Sequence, residues 1–598
     1  MRSLTYLWLT LGLLSIGVTG LVASRPASVV TARRAAAFDM SRPLESMEQF
    51  IPDKQVVIHP AVEMTPERQG PISGPGEGLG ATPPAPPPPP RAGARAGRGG
   101  PRATPPIPPP PPAPEISAAG AAVEQTAQGK RPAIPALAAF DGLGEGFTGR
   151  AFPGADKAPE NEGRGGAGRG GIDISLAVGP DHIFQILNGN MAVFTKKGKK
   201  YDTTGKLLYG AVPNDTVFAG FGNRCGVNNN SDSVVRYDQL ADRWLIVVPV
   251  FAPPAPYAMC YAVSVTSDPL GPYYRYEFQR PLFPDYPRPA VWPDGYYNPT
   301  STSDNLLPEV ITQKHDCIAD RNKMLKGEPA TEQCVIIDGG VFMLNTDLDG
   351  KRLPPAGAPN IMMSTGGTQL MKIFDDDGIY FYKVHVDWSD PSKTTVSAPQ
   401  KIAVAPYHYL CDGQLSNCVS QPGTERRLDS QGDKLIQRLV YRNFGDHESI
   451  LAEHSVATAA HGGGVRWYEF RLNGQRDPVL YQQSTYAPDK FYRWLGSMAM
   501  DRKGNIGIGY SFGGDPNYPG QRFAARLVKD PKGQLTFHES VLAEGAGSQT
   551  GSLRWEDFTN IVVDPADDCT FWFTGNYLKS GATSSTTRIG SFVVPGCK

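Results

Sequence analysis

Neither sign of charge dominates this chain of 598 residues: 58 lysines and arginines stand against 59 aspartates and glutamates, a formal net charge of −1. Without an excess of either sign there is no overall field to recruit nucleic acid or an anionic membrane, and neither partner is expected. Cysteine is scarce, eight in all, and no two form a C-x-x-C pair, so the common spacings of structural zinc and of redox dithiols are missing. No GxxxxGK[ST] loop or dinucleotide fingerprint occurs. A sustained helical period of apolar residues is lacking too, and only NKMLKG, from Asn322, suggests a short helix.

Proline and glycine, by contrast, are abundant at 57 and 66 residues and crowd into particular stretches. From Gly70 the chain reads GPISGPGEGLGATPPAPPPPPRAGARAGRGGPRATPPIPPPPPAPE. Proline runs of this kind enforce extended polyproline geometry and the glycines between them supply hinges, so 70–135 reads as a disordered stalk. Ahead of it, Arg2 precedes an uncharged run from Ser3 to Ser24 with small residues before Arg25, which reads as a secretory signal over 1–24. An uncleaved anchor is the alternative. Residues 25–69 show no sustained period and are expected to be mostly disordered, 136–171 form a glycine-rich lead-in, and 172–598 remain to fold.

All eight cysteines (Cys225, Cys260, Cys317, Cys334, Cys411, Cys418, Cys569 and Cys597) fall in that last part. An even number behind an export signal reads as disulfides formed outside the cytoplasm, in a secreted, extracellular or periplasmic protein. Spacing alone does not select the connectivity. Pairing sequence neighbours is the simplest choice: 225 with 260, 317 with 334, 411 with 418, 569 with 597.

The folded part contains a recurring unit: a short apolar strand, an Asp/Gly turn and a second apolar strand. Clear copies start at Ile172, Tyr286, Gln437, Tyr492 and Arg554, with looser ones at Ser231 and Thr368. Strands rich in Val, Ile, Tyr, Phe and Trp, repeated at this spacing, predict an all-β fold and a β-propeller, whose sheets bury their faces only against neighbouring blades. The count is about seven blades, with six and eight as alternatives. The strand RIGSFVV, Arg588 to Val594, is expected to complete a blade begun near the N-terminal end of the fold, with the 569–597 bridge pinning the chain end beside it.

The phrases YRNFGDHES, GVRWYEFR, YRWLGSMAMD, RWEDFTNIVVDPADDCTFWFTGNY and TRIGSF resemble a group of large exported bacterial β-propeller proteins, sialidase-like at the level of fold only. The resemblance implies fold and export rather than a reaction. This chain departs from that pattern in carrying Glu556 in place of Gly and Asn576 in place of Glu. The S-x-D-x-G-x-x-W box of sialidases does not occur in the repeats.

Four arginines precede turn aspartates by even offsets: Arg438 and Arg493 by eight residues, Arg288 by six, Arg554 by ten. Residues an even number apart in a regular strand share a face, so these side chains are expected to form a ring near the central channel, with Asp173 as its acidic member. Converging guanidiniums bind carboxylate, sulfate or phosphate, which points to an anionic glycan or protein as ligand. The alternative is that each arginine bridges carboxylates between blades. Asp173, Glu448, Glu556 and Asp557 are the candidates for acid, base or nucleophile, because paired carboxylates are the usual glycosidase machinery. NTDLDG places Asn345, Asp347 and Asp349 as in the start of a calcium loop, but the later ligand positions fall on Leu353 and Ala356. In DHESILAEH, His447 pairs in strand parity with Glu453 and Glu448 with His454, too few ligands per face for zinc. GYSFG fits the G-x-S-x-G pattern around Ser511, yet GDPNYPG follows where a nucleophile elbow needs a helix. The reading is a monomeric exported binding or scaffold module on a proline-rich stalk, without a resident cofactor unless calcium. The runner-up is a glycan-active hydrolase or lyase.

Overall fold

The computed structural model describes residues 30–47, 113–147 and 173–598, apart from the short stretches 227–231, 253–255, 281–282, 301–312, 339–341, 367–376, 414–416 and 583. The signal-like segment and most of the proline-rich stretch lie outside the described residues.

Strand follows strand in antiparallel meanders, as the alternation of β-branched and aromatic runs with Gly/Asp turns requires. Meander 1 is Ile174–Val178, His182–Leu187, Asn190–Thr195 and Leu207–Pro213. Meander 2 is Val234–Asp238, Arg243–Val250, Tyr257–Ser264 and Tyr273–Arg280. Meander 3 is Ala290–Trp292, Gly295–Thr300, Gln313–Ala319 and Thr331–Asp338. Meander 4 is Leu344–Leu348, Asn360–Thr365 and Gly378–His385, edged by Thr395–Val396 and Gln400–Ala403. Meander 5 is Leu439–Asn443, Glu448–Ala457, Gly463–Leu472 and Pro478–Tyr486. Meander 6 is Tyr492–Met500, Ile506–Gly514, Asn517–Arg526 and Ser540–Ala543. Meander 7 is Asn560–Val563, Thr570–Tyr577 and Thr586–Val593, and its outer strand comes from far upstream, Ala138–Gly144.

The apolar cores lie between consecutive meanders, which is why the strands read as near-continuous apolar runs rather than strict alternations. Phe184, Ile186 and Val193 meet Trp244, Ile246 and Val248 between meanders 1 and 2. The last core joins Val562, Trp572 and Ile589 to Ile174, Leu176 and Phe194, so meander 7 packs on meander 1 and the arrangement closes as a propeller.

A belt of side-chain bonds links the first strands around the closed circle. Asn560 accepts from the Leu176 amide at 3.3 Å, and Ser175 accepts from the Val235 amide at 3.0 Å. Arg236 donates to the Pro289 carbonyl at 3.0 Å, and Asp347 accepts from the Val291 amide at 2.9 Å. Asp347 pairs with Arg438 at 2.6 Å, while Ser497 donates to the Gln437 carbonyl and accepts from the Ile561 amide. The first strands of meanders 4 and 5 also pair in parallel through their backbones, Thr346 opposite Leu439 and Leu348 opposite Tyr441; at the other seams these polar side chains satisfy backbone groups left over.

All four disulfides pair as sequence neighbours: 225–260, 317–334, 411–418 and 569–597. The short helix forms at Arg321–Met324, capped by Asp320. Arg588 to Val594 does complete a blade begun near the N-terminal end, as expected, with Ala138–Gly144 pairing outside it. Other expectations need correction. The copy expected from Thr368 begins outside the described residues, and the fourth meander opens at Leu344–Leu348, so the supposed calcium loop is itself an innermost strand. The upstream regions expected to be disordered or a mere lead-in also contribute: Val30–Arg34 edges meander 3, Ala37–Met40 edges meander 2, and Glu124–Gln125 pairs with the outer strand of meander 5.

Candidate functional site

The expected arginine ring does not form. Arg493 is fully buried, bound to Asp489 at 2.9 Å and Glu539 at 2.6 Å, with Tyr486 and Phe512 against its guanidinium. Parity misplaced it: the register shifts between Trp494 and Ser497, where Leu495 adopts a φ of +47°, and this one-residue bulge reverses the facing of everything before it. Arg288 lies ahead of its strand and donates to the carbonyls of Met343 and Tyr286, both at 2.8 Å; burial pulls its pKa down to about 10. Arg438 pairs with Asp347 and Asp349, and these carboxylates raise its pKa further despite burial. Arg236, which the repeat alignment overlooked, joins them at 3.5 Å from Asp347 and donates to Gln437 at 2.6 Å. Together these residues form a buried cluster of compensated charge where the first strands of meanders 2, 4 and 5 approach one another.

That arrangement also removes the calcium loop. Asp347 and Asp349 serve arginine, and Asn345 donates to Asp316 and Asn360 at 2.9 and 3.1 Å. Among the described residues, the His, Cys, Asp and Glu groups close enough to hold a metal are Cys317, Glu332 and Cys334, and the two sulfurs are already joined to each other.

Of the four carboxylates proposed for chemistry, two are brought together and two are not. Glu448 binds Arg476 and Tyr441 at the far end of meander 5. Glu556 is buried between meanders 6 and 7, accepting from Ser511 at 2.9 Å, Gln521 at 3.2 Å and the Asn576 amide; burial pushes its pKa up to about 8. Ser511 lies within Ile506–Gly514 and also accepts from Trp555 and Gln521, so it is a bridging hydroxyl rather than a nucleophile. His447 stacks on Phe444, while His454 is buried against Tyr468 and Tyr407, so DHESILAEH gathers no metal ligands.

Asp173 and Asp557 lie close enough to repel each other, where the chain leads into the first strands of meanders 1 and 7. Asp173 bridges to Phe558 through the backbone, and Arg554 binds Asp557 on one side and Asp429 at 3.2 Å on the other. Asp429 and its neighbours come from the segment between meanders 4 and 5, which carries the hairpin Asn417–Gln421 and Thr424–Asp429 and the 411–418 disulfide. Its Gln431 donates to Asp557 at 2.9 Å and accepts from Lys434. The Lys434 ammonium sits 4.3 Å over the Phe342 ring beside Asp433, and its pKa is lowered by burial. Tyr286 stacks on Phe558 at 4.5 Å and donates to the Asp557 carbonyl at 2.7 Å. Val234, Tyr286, Phe342 and Phe558 form an apolar floor beneath these charges.

Burial lifts Asp173 to about 7, helped by the nearby Asp557 charge and opposed by Arg554. Asp429 is likewise lifted to about 7 by burial, against the pull of Arg554. Arg554 has its pKa raised, because the surrounding carboxylates outweigh its desolvation. Solvent reaches only part of this network: the Arg554 side chain is 22% exposed and that of Asp557 15%, while Asp429 is fully buried. Asp429, Gln431 and Lys434 escaped the sequence reading because they lie outside the repeats. Their dense polar run after a disulfide-closed hairpin was the available signal.

No family model matches the chain, and no curated protein does. Among solved structures, a protein of unknown function from Dyadobacter fermentans DSM 18053 is similar at 9% identity, over 71% of this chain and 95% of that one, with a TM-score of 0.30. The WD40 domain of SCAP from fission yeast is 9% identical over 71% and 85%, TM-score 0.29. An engineered GH43 glycoside hydrolase with endo-xylanase and exo-arabinofuranosidase activity is 8% identical over 71% and 96%, TM-score 0.27. The fold rests on the chain's own strand pairing.

Proposed function

We propose that the chain is an exported seven-bladed propeller, each meander one blade, that binds an acidic glycan at the Arg554 cluster. The family of exported bacterial propellers whose phrases it resembles fits this reading, and four disulfides suit an oxidising compartment. Among the described residues no helix is long and apolar enough to cross a membrane.

One observation carries the binding reading: Arg554 and Asp557 keep partial solvent access above a network whose other charges are buried. A guanidinium offers a planar fork to a uronate-type carboxylate, and adjoining carboxylates accept from ring hydroxyls. A panel of uronate-containing oligosaccharides tests it. Binding by the native protein and its loss in Arg554→Ala support the reading; equal binding in Lys579→Ala controls for surface charge. A panel without a single binder contradicts it.

The second reading, a glycan-active hydrolase or lyase, is favoured by one feature. Asp173 and Asp429, both lifted to about 7, flank Arg554, and a carboxyl with such a pKa exchanges protons at neutral pH. Turnover of the same panel, abolished in Asp173→Asn and Asp429→Asn, distinguishes it from binding alone.

A further inference from the structure

Val30–Arg34 pairs antiparallel with the outer strand of meander 3, Val30 opposite Val335 and Arg34 opposite Thr331. The chain then crosses to the neighbouring sheet, where Ala37–Met40 pairs with Tyr273–Arg280. Asp39 receives two bonds from Arg275, at 2.7 and 2.6 Å. Ser41 exchanges bonds with Tyr273, and Leu44 and Met47 bury against the core of meanders 1 and 2. Residues 30–47 therefore form a strap along the rim.

The other side of the proline-rich stretch is anchored to the rim as well. Glu124–Gln125 joins meander 5, Arg131 binds Asp530 at 2.8 Å in meander 6, and Ala138–Gly144 completes meander 7. A proline-rich segment tied to one body at both ends is not a stalk between an N-terminal anchor and that body. No disulfide reaches the strap, since every cysteine lies at 225 or beyond. Its attachment is by strand pairing, the Asp39 carboxylate, Arg33 on the Gln279 carbonyl, Phe38 stacked on Tyr276, and the apolar side chains of Val30, Ala35, Leu44 and Met47.

We propose that the outer edges of meanders 2 and 3 form a strand-accepting site, filled here by residues 30–47, that takes an extended peptide presenting a carboxylate to Arg275 and two apolar side chains beyond it. The receptor is preorganised. Arg275 also donates to the carbonyls of Val217 and Ala219, at 3.2 and 2.9 Å, and its guanidinium lies over Phe221, so it keeps its orientation when Asp39 leaves. Main-chain bonds to a sheet edge supply affinity, and side-chain pockets supply selectivity. A tether of the intervening length holds the strap at an effective concentration on the order of millimolar, so competition in the intact chain is weak. Cutting the tether converts it into an ordinary bimolecular equilibrium.

The test uses the full chain with a site-specific protease sequence inserted between Gly99 and Gly100. After cleavage, the fragment bearing the strap is expected to co-elute with the body in gel filtration at micromolar concentration. A fluorescent peptide of residues 28–48 then exchanges into the body, and its Asp39→Ala version does so at least about tenfold more weakly, as the loss of a charge-assisted bidentate pair implies. Separation of the fragment at once on cleavage overturns the proposal. So does a body, still folded by circular dichroism, that excludes the labelled peptide at large excess or takes the Asp39→Ala peptide equally well.

Discussion

Two arginine–aspartate clusters lie beside the first strands of the propeller and differ in their access to water. Arg438 with Asp347 and Asp349 is sealed, no member more than 5% exposed. Arg554 with Asp429 and Asp557 retains access to water through two of its three members. The sealed cluster is built from residues in or beside the innermost repeat strands, each blade supplying a partner for the next. The open one is built from the irregular lead-in to meander 7 and the segment between meanders 4 and 5. Repetition therefore stitches the circle together, and departures from repetition build the proposed site.

The comparison breaks most severely through the sealed cluster. Arg438→Ala removes the nearest counter-ion of two buried carboxylates, leaving Asp347 only Arg236 at 3.5 Å, and is expected to cost about 3 kcal/mol, measured by denaturant titration. A pH series sharpens it next. Asp173 and Asp429 rise to about 7 and Glu556 to about 8, from 3.8 for the aspartates and 4.5 for the glutamate. Between the ordinary and the raised value the folded state holds protons that the unfolded state has released, so stability falls as pH climbs through that window. The melting temperature is expected to be lower at pH 8 than at pH 5, by on the order of 5 °C, and Glu556→Gln should flatten the slope.

Smaller still is the effect of Arg554→Ala on stability, expected at no more than about 2 kcal/mol, because Asp429 can take up a proton once its partner is gone. If it matched the loss in Arg438→Ala, the distinction between clusters would fail. Smallest is Glu453→Gln. Glu453 is buried, its carboxylate makes no hydrogen bond, and burial pushes its pKa well up. The variant should gain about 1 kcal/mol at pH 8 and nothing at pH 4, by calorimetry at both pH values.

Much of the circle was legible in the chain. The Asp/Gly turns mark the first hairpins of most blades, and the short loops between cysteines explain why neighbours pair. Leu344–Leu348 was misread because an innermost strand that carries Asn345 and Asp347 for bonding to neighbouring meanders looks like an oxygen-rich loop. Arg493 was misplaced by a bulge, which leaves no trace in residue spacing. The strap residues found partners more than two hundred positions away, on sheet edges where short strands need little apolar pattern. At the proposed site, Asp173, Arg554 and Asp557 were visible because they adjoin repeats, whereas Asp429 and Lys434 were brought in by a segment without a repeat to align it to.

The most direct test is calorimetric titration of a uronate-containing oligosaccharide into native protein and into Arg554→Ala, each first shown to melt cooperatively. Saturable binding to the native protein, lost in a variant that keeps most of its stability, is the expected result. Undiminished binding to Arg554→Ala would contradict the assignment of the Arg554 cluster as the site.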